Sequence, residues 1–236
     1  MPPQPKYHGQ SGGVVNGVSL TLASPTRDSG ANPQPGDYLV MGYAAGTYTS
    51  WTYPDTSWVE AGAHEIVPGA GPPMAAIIAY RKIVAGDPTQ WTFQFSSGLR
   101  ALIMALVSDV DLDNPEAHTW GAFAASADDN IVNIPTKTTV DYDVIRFGLG
   151  GGRGLGIVGG TAWTPPTGWT EIAEKNTGGL TASNKVSMSM VYKIVPAPVA
   201  DPLAVMTNSN NADTRIGGTW GVRPPPPSKL IDRVGY

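Results

Sequence analysis

Short apolar runs separated by turn residues recur along the whole chain. Several alternate apolar and polar residues, as in "QWTFQF" from Gln90 and "VSMSMVY" from Val186, and a period of two is typical of a strand with one buried face. The segments predicted to be strands are 18–23, 38–45, 74–84, 91–95, 99–107, 131–134, 144–149, 169–175, 186–195 and 215–222. The pattern therefore predicts an all-β protein.

One apolar segment, "GLRALIMALVSDV" from Gly98, fits two structures. Its apolar residues would also line one face of a helix. Its length, the Ser-Ser-Gly before it and its acidic exit favour a strand buried on both faces.

The chain repeats itself in order. The matching pairs are "DYLVMGYAAG" with "DYDVIRFGLG", "YPDTSWVE" with "TPPTGWTE", and "AYRKIVA" with "VYKIVPA". The second pair aligns Trp58 with Trp169 and Glu60 with Glu171. A repeat of about 100 residues is too long for a solenoid unit. We predict an antiparallel, jelly-roll-like β-sandwich over residues 14–223, with pseudo-repeated halves at 37–111 and 141–223. Two related small sandwiches are the alternative.

Composition narrows the function classes. Gly and Pro are abundant, at 29 and 22 residues, and only 14% of residues are charged, which fits short elements joined by turns. A net charge of −4 without a long basic run argues against a nucleic-acid partner. The absence of cysteine excludes disulfides and thiolate metal sites. No apolar run is long enough to span a membrane, and the first residues lack the core of a signal peptide. We therefore expect synthesis in the cytoplasm and no membrane insertion.

Two glycine motifs imitate catalytic or cofactor sites. The stretch "GLGGGRGLGIVGG" from Gly148 contains the spacing of a dinucleotide-binding loop, but that loop must open a helix. "TAWTPP" follows instead, so we predict a flexible loop. Ser11 stands in Gly-x-Ser-x-Gly without the strand before it and the helix after it that a nucleophile elbow requires. We expect no enzyme.

An acidic segment is the candidate metal site. Asp109, Asp111 and Asp113 alternate like the start of a calcium-binding loop. Asn114 stands at the sixth position, where that loop needs glycine, and Trp120 at the twelfth, where it needs glutamate. The alternative is a polar strand exit with a turn at Asn114. Apart from this Ca²⁺, no cofactor is expected.

The seven tryptophans divide into two groups. Trp51 and Trp163 precede the Pro-x-x-Trp turns and are the candidates to stack on a sugar ring. The tryptophans of those turns are expected to anchor the core. Those in strand patterns, Trp91, Trp120 and Trp220, are expected to be core residues too.

Both ends differ from the middle of the chain. Residues 1–13 are rich in Pro and Gly, and 224–236 read "PPPPSKLIDRVGY". Consecutive prolines form an extended rod without N–H donors. We predict two arms that lie on neighbouring subunits; disordered tails are the alternative. The docking candidates in the C-terminal arm are Pro224, Pro225, Pro226, Pro227, Leu230, Ile231, Val234 and Tyr236.

The succession "PGDYLV", a Pro-x-x-Trp turn, "AYRKIVAGDPTQWTF", "ALIMALVSDVD", "TPPTGWTEIAEK" and "GGTWGVRP" resembles minor tail or structural proteins of tailed actinobacterial bacteriophages. These are β-sandwich proteins with a jelly-roll or concanavalin-like architecture. The likeness spans about residues 14–223. The first turn, Pro54 to Trp58, lacks the usual glycine, and the tail after Pro224 lies outside the shared pattern. The shared motifs mark framework, so no catalytic residue is carried over.

The resemblance implies a virion structural protein. We expect a minor tail or tail-tip component, made in the host cytoplasm, that docks through its arms onto other virion proteins. A homo-oligomer and contact with host-surface glycan are further expectations. A capsid decoration protein of the phage head is one alternative, and a carbohydrate-binding module is another.

Overall fold

The computed structural model describes residues 4–46, 51–61, 65–67, 74–95, 98–125, 129–138, 144–154, 162–177, 185–195, 200–212 and 214–226. In these ranges every regular element is a β-strand, and the paired strands are antiparallel. The predicted all-β sandwich is therefore confirmed.

The first half of the chain builds two sheets. Its strands are β1 Lys6–Asn16, β2 Ser19–Ala23, β3 Tyr38–Ala45, β4 Trp51–Thr52, β5 Val59–Glu60, β6 Glu65–Val67, β7 Met74–Lys82, β8 Gln90–Phe95 and β9 Leu99–Ser108. The large sheet has the order β1-β9-β3-β7-β5, with β6 also paired to β7. The small sheet has the order β2-β8-β4.

The second half builds the same two sheets again. Its strands are β10 Glu116–Ala125, β11 Asp129–Ile134, β12 Lys137–Thr138, β13 Val144–Gly154, β14 Trp163–Thr164, β15 Thr170–Asn176, β16 Lys185–Val195, β17 Ala200–Asp201, β18 Ala204–Ala212 and β19 Thr214–Val222. The large sheet is β10-β19-β13-β16-β15, the small sheet is β11-β18-β14, and β12 pairs with β17. Each repeat therefore starts earlier than predicted, at Lys6 and at Glu116, and has its own pair of sheets.

The strand ladders align the two halves residue by residue. Glu60 lies opposite Ala79 in the first half, and Glu171 lies opposite Val191 in the second. These are the residues that the sequence repeat matched, so the match is confirmed at this position. Residues at the same ladder position of the two halves are called counterparts below.

The match predicted for β3 and β13 is displaced by three residues. Val40 lies opposite Tyr80, and Phe147 lies opposite Tyr192. The counterpart of Val40 is therefore Phe147, whereas the Asp-Tyr identities of the sequence alignment matched it with Val144. Those identities lie just before or at the start of the strand. The ladder positions depend instead on the residues paired inside the strand, so the identities give the wrong match.

The four sheets stack as four layers with the large sheets in the centre. The most extensive core cluster draws its residues from both large sheets, and two smaller clusters fill the space between each large sheet and its small sheet. Strand β3 shows the arrangement, because it is buried along its whole length. Val40 and Ala44 face the other half, whereas Met41 and Tyr43 face the small sheet of their own half.

Aromatic pairs join the two halves. Tyr80 stacks on Trp220, and its counterpart Tyr192 packs on Tyr7, each with ring centroids 4.7 Å apart. Burial raises the pKa of Tyr7 to about 12. The contact between halves is thus an internal seam of the protein rather than a hinge.

The glycine-rich stretch is a buried central strand, so the predicted flexible loop is wrong for Gly148 to Gly154. A Cβ on Gly151 would lie 2.5 Å from Met74 Cε, in the seam between the halves. A Cβ on Gly148 would lie 2.6 Å from Ile134 Cδ1, on the side of the small sheet. Glycine is present because both faces of this strand are packed too closely for a side chain. The rest of the stretch, 155–160, lies outside the described residues.

Of two further predictions, the one for the apolar segment from Gly98 is confirmed and the one for an N-terminal arm is wrong for residues 6–13. The ambiguous apolar segment is strand β9, buried at every position, as predicted. Residues 6–13 are not an arm, because they form part of β1, which pairs with β9 along the sheet edge. Ser11 of the Gly-x-Ser-x-Gly motif lies within β1, and its hydroxyl donates to the Ala23 carbonyl.

Candidate functional site

The two sugar-stacking candidates occupy counterpart positions but differ in exposure. Trp51 begins β4 opposite Phe95, and Trp163 begins β14 opposite Asn208. Trp51 is half-buried, whereas only 5% of Trp163 is exposed and its indole N–H donates to Ser187 Oγ at 2.7 Å. The predicted exposed ring at Trp163 is therefore wrong, because that ring belongs to the core of the second half.

The difference in exposure between Trp51 and Trp163 is explained by one pair of counterparts, Tyr43 and Gly150. Tyr43 lies opposite Ile77, and its counterpart is Gly150. The Tyr43 ring lies 4.3 Å from the Trp51 ring, whereas a Cβ on Gly150 would lie 3.2 Å from the Trp163 ring. Tyr43 fills the space that Trp163 occupies in the other half, so Trp51 is held nearer the surface.

Trp51 is the first of three aromatic rings that contact one another in a row leading into the core. Its ring centroid lies 4.4 Å from that of Tyr53, whose hydroxyl donates to Glu60 Oε1 at 2.9 Å. Trp58 lies behind Tyr53 and is buried. Trp58 and Trp169 are buried as predicted, as are Trp91 and Trp220, whereas the side chain of Trp120 lies outside the described residues.

The repeated Asp-Pro dipeptides anchor buried cations. Arg81 pairs with Asp87 and lies 4.3 Å above the Trp91 ring, and its counterpart Lys193 pairs with Asp201. Asp201 also pairs with the fully buried Arg146, whose pKa is lowered by burial and partly restored by that carboxylate. These ion pairs join strand β7 to the turn that follows it and join strands β13 and β16 to Asp201 in β17, so they stabilise the framework.

The predicted calcium residues lie in the connection between the halves. Asp111 Oδ1 accepts hydrogen bonds from the backbone N–H of Asp113 at 3.0 Å and of Asn114 at 3.1 Å. Its own N–H donates to the Arg223 carbonyl, just after the last strand. The described residues contain no group of three acidic or histidine side chains able to hold a metal ion. The turn at Asn114 is thus the interpretation that the structure supports.

A histidine–serine contact that the sequence analysis missed lies at the start of this connection. His8 Nε2 is 2.8 Å from Ser108 Oγ, and Ser108 Oγ is 2.9 Å from Asp109 Oδ2. On its other side, His8 Nδ1 is 3.3 Å from Asp28 Oδ1, and the other oxygen of this carboxylate, Oδ2, pairs with Lys6 Nζ at 2.7 Å. We call His8, Asp28, Ser108 and Asp109 the edge cluster.

Two irregularities of the backbone position the edge cluster. Tyr7 lies opposite Val107 and Gln10 opposite Ala105, so β1 carries one extra residue at His8 and Gly9. Such a bulge turns a side chain away from the regular alternation of a strand. Asp109 has a φ of 57°, the left-handed region that non-glycine residues rarely adopt.

A cavity of about 290 Å³ opens beside the edge cluster. Its polar walls are Ser108, Asp109 and the ion pair of Arg27 with Asp37, and its apolar walls are Pro35, Val110, Leu112 and Pro225. Arg27 Nε donates to Asp37 Oδ2 at 2.9 Å, and this hydrogen bond raises the pKa of Arg27. The cavity therefore combines a hydroxyl and charged groups with a small apolar surface. Nothing in the local sequence indicates it, because its walls come from distant segments.

The outer faces of the two small sheets differ in chemistry. Thr21 lies opposite Thr92 in the first half, and their hydroxyls are 2.7 Å apart. At the counterpart position Asn133 lies opposite Val205, which is 41% exposed. Ile131 and Leu203 are also exposed on this side of the second half, at 38% and 52%. The first outer face is polar where the second is partly apolar.

The C-terminal arm is described only as far as Pro226. Pro224 is buried and Pro225 lines the cavity, so the first prolines pack on the body of the protein. The remaining arm candidates, Pro227, Leu230, Ile231, Val234 and Tyr236, lie outside the described residues.

Within the ranges that the structure describes, no helix is long and apolar enough to cross a membrane. Comparison of the chain with protein-family models, curated proteins and solved structures found no match to any of them.

Proposed function

We propose that the chain is a structural protein of a bacteriophage particle, placed in the tail as a minor tail or tail-tip component. The sequence resemblance supports this assignment, and a duplicated β-sandwich is the kind of framework it implies. We also propose that each half is a jelly roll, since its first strand pairs with its last, and β3 or β13 pairs with that last strand on its other side.

The main support for the proposal is that the outer face of one small sheet is polar, whereas that of the other is partly apolar. Exposed apolar side chains on a sheet face favour contact with another protein. Val205 occupies in the second half the position that Thr92 occupies in the first. Because the large sheets are buried against each other, the two small sheets lie at opposite ends of the stack. The apolar end is suited to pack on a neighbouring virion protein, while the polar end faces solvent or the host.

This proposal is tested by a pair of counterpart substitutions. Val205→Asp places a charge in the contact and should strongly reduce incorporation of the protein into particles. Thr92→Asp places the same charge on the polar end and should leave incorporation unchanged. Quantitative immunoblots of purified particles measure both variants. Equal incorporation of the two variants would refute the proposed contact through Val205.

Immunogold labelling of purified particles separates the two virion positions. Gold at the tail supports the tail assignment, whereas gold over the head supports a capsid decoration protein. Particles without label would refute both. The arm has its own test: deletion of residues 227–236 should leave the sandwiches folded and abolish incorporation.

Glycan binding is a second candidate function, favoured by the half-exposed ring of Trp51. Replacement by alanine should abolish binding of the isolated chain to host envelope if this ring stacks on a sugar. Thr52→Ala, at the next residue of the same strand, is the matched control. Binding that survives Trp51→Ala would reject this ring as the contact.

A further inference from the structure

The edge cluster places a hydroxyl, an imidazole and a carboxylate in series, beside a cavity. We propose that Ser108 is an activated nucleophile for esters with short acyl groups and that His8 is its general base. This activity goes beyond the structural role proposed above, and it departs from the expectation of no enzyme.

The distances meet the first requirement of nucleophilic catalysis. A base must lie within hydrogen-bonding reach of the hydroxyl, and a third group must orient the base. His8 Nε2 is 2.8 Å from Ser108 Oγ, and Asp28 Oδ1 is the third group, 3.3 Å from Nδ1. The contact with Asp28 is long and not aligned as a hydrogen bond, as is common for catalytic groups before substrate binds.

The backbone irregularities give independent support. The bulge at His8 and Gly9 directs the imidazole towards the end of β9, and the residue after Ser108 is held in the left-handed region. Bulges and strained residues are enriched at functional sites.

The proton of Ser108 has two possible acceptors, His8 Nε2 and Asp109 Oδ2 at 2.9 Å. When His8 is neutral with its proton on Nδ1, the Nε2 lone pair faces the hydroxyl. This is the tautomer that can act as a base. When His8 is protonated, the hydroxyl donates to Asp109 instead and His8 cannot take its proton. Activity should therefore require the neutral imidazole.

The cavity sets the class of substrate. Its volume of about 290 Å³ and its apolar walls at Pro35, Val110 and Leu112 suit a short aliphatic acyl group. Arg27 is the positively charged group in its wall, 32% exposed, and is paired there with Asp37.

The chemical step balances without a further reagent. Ser108 Oγ attacks the acyl carbon while its proton passes to His8 Nε2. The bond to the leaving alcohol breaks, and that alcohol takes the proton from His8. Water then attacks the acyl-serine while His8 takes its proton. The bond between the acyl carbon and Ser108 Oγ breaks, Oγ takes that proton from His8, and the carboxylic acid leaves.

The test is covalent labelling of the full-length protein with a fluorophosphonate probe. Ser108 Oγ would bond to phosphorus, fluoride would leave, and the proton would pass to His8. Mass spectrometry identifies the labelled peptide, and p-nitrophenyl acetate provides a second readout as a burst of p-nitrophenolate. Circular dichroism and thermal unfolding confirm that each variant is folded.

Four variants discriminate the roles. Ser108→Ala should abolish the label and the burst, whereas Ser11→Ala, on the paired strand, should change neither. His8→Gln keeps a polar group near Nε2 but cannot take the proton, so labelling should slow by about 100-fold or more. Asp28→Asn, at an exposed position, should slow labelling by removing the negative charge beside the imidazole.

Two results would overturn the proposal. One is a folded wild-type protein without label on Ser108. The other is a labelling rate that His8→Gln leaves unchanged. In that case a fifth variant, Asp109→Asn, shows by loss of labelling whether Asp109 is the base.

Discussion

Gly217 lies where the backbones of two layers approach each other closely, and its substitution tests the packing directly. It belongs to β19, in the large sheet of the second half. A Cβ at this position would lie 2.0 Å from the backbone oxygen of Asn133 and 2.7 Å from Val132 Cγ1. The first contact is with backbone in the neighbouring small sheet, so a change of rotamer cannot relieve it.

The cost of Gly217→Ala follows from these distances. Ordinary contact between a Cβ and an oxygen needs about 3.4 Å, so the two layers would have to separate by about 1.4 Å. A gap of 0.5–1 Å already removes roughly a quarter to a half of the dispersion attraction, and overpacking a close-packed core costs about 1–3 kcal/mol. We expect a loss near the upper end, about 3 kcal/mol. In a chain of this length that lowers Tm by roughly 6–12 °C.

Thermal unfolding followed by circular dichroism measures this prediction. Gly17→Ala is the control, because a Cβ there meets only Val15 Cγ2, at 3.4 Å. It should leave Tm unchanged or slightly raised, since alanine restricts the unfolded chain more than glycine does. A Gly217→Ala protein with the Tm of the wild type would show that the layers are not packed as closely as described.

Three further predictions follow from the same structure. Tyr43→Gly should let Trp51 move inward as Trp163 does, which a blue shift of tryptophan fluorescence and weaker acrylamide quenching would report; an unchanged spectrum would contradict the account of the two rings. Asp111→Ala should destabilise by about 1 kcal/mol, because two backbone N–H groups lose their acceptor, whereas Asp113→Ala should have little effect in the same urea titration. Burial raises the pKa of Tyr7 and of Tyr38 to about 12, so their contribution to stability is complete below the unfolded value of about 10 and is lost as the pH rises from 10 to 12. Tyr7→Phe should flatten that loss in unfolding curves recorded between pH 9 and pH 12, and an unaltered pH dependence would refute the assignment.

The sequence predicts the strands best where apolar residues alternate with polar ones and one face of the strand is buried. The alternation in "QWTFQF" places Trp91, Phe93 and Phe95 inside, as the structure confirms. Strand β9 could be predicted despite its lack of alternation, because an uninterrupted apolar run fits a strand covered on both faces. The Pro-x-x-Trp turns also allowed a correct prediction, because the rings of Trp58 and Trp169 are both buried.

The errors have a common physical origin. The sequence predicts a loop at Gly148 and Gly151, because it does not show that Ile134 and Met74 approach them from two other layers. It predicts an exposed ring at Trp163, because the burial of that ring depends on the missing side chain at Gly150. These outcomes are decided by contacts between segments distant in the chain.

The edge cluster escaped detection for a related reason. His8, Asp28 and Ser108 lie 20 and 80 positions apart in the sequence, and no spacing rule links them. His8 was assigned to an arm, and only the pairing of β1 with β9 brings it to Ser108. The candidate that the local sequence offered, Ser11, makes a hydrogen bond to backbone instead.

The back-to-back packing of the large sheets has a consequence for synthesis of the protein. The first half is complete at Ser108, but the face that it presents to the second half remains uncovered until β19 ends at Val222. At about 5–20 residues per second, ribosomes need roughly 5–20 s for that interval. During this time a nascent chain carries an open apolar sheet face, which a chaperone or a second nascent chain could occupy. Newly made protein should therefore depend on chaperones to a degree that the stability of the finished molecule does not reveal.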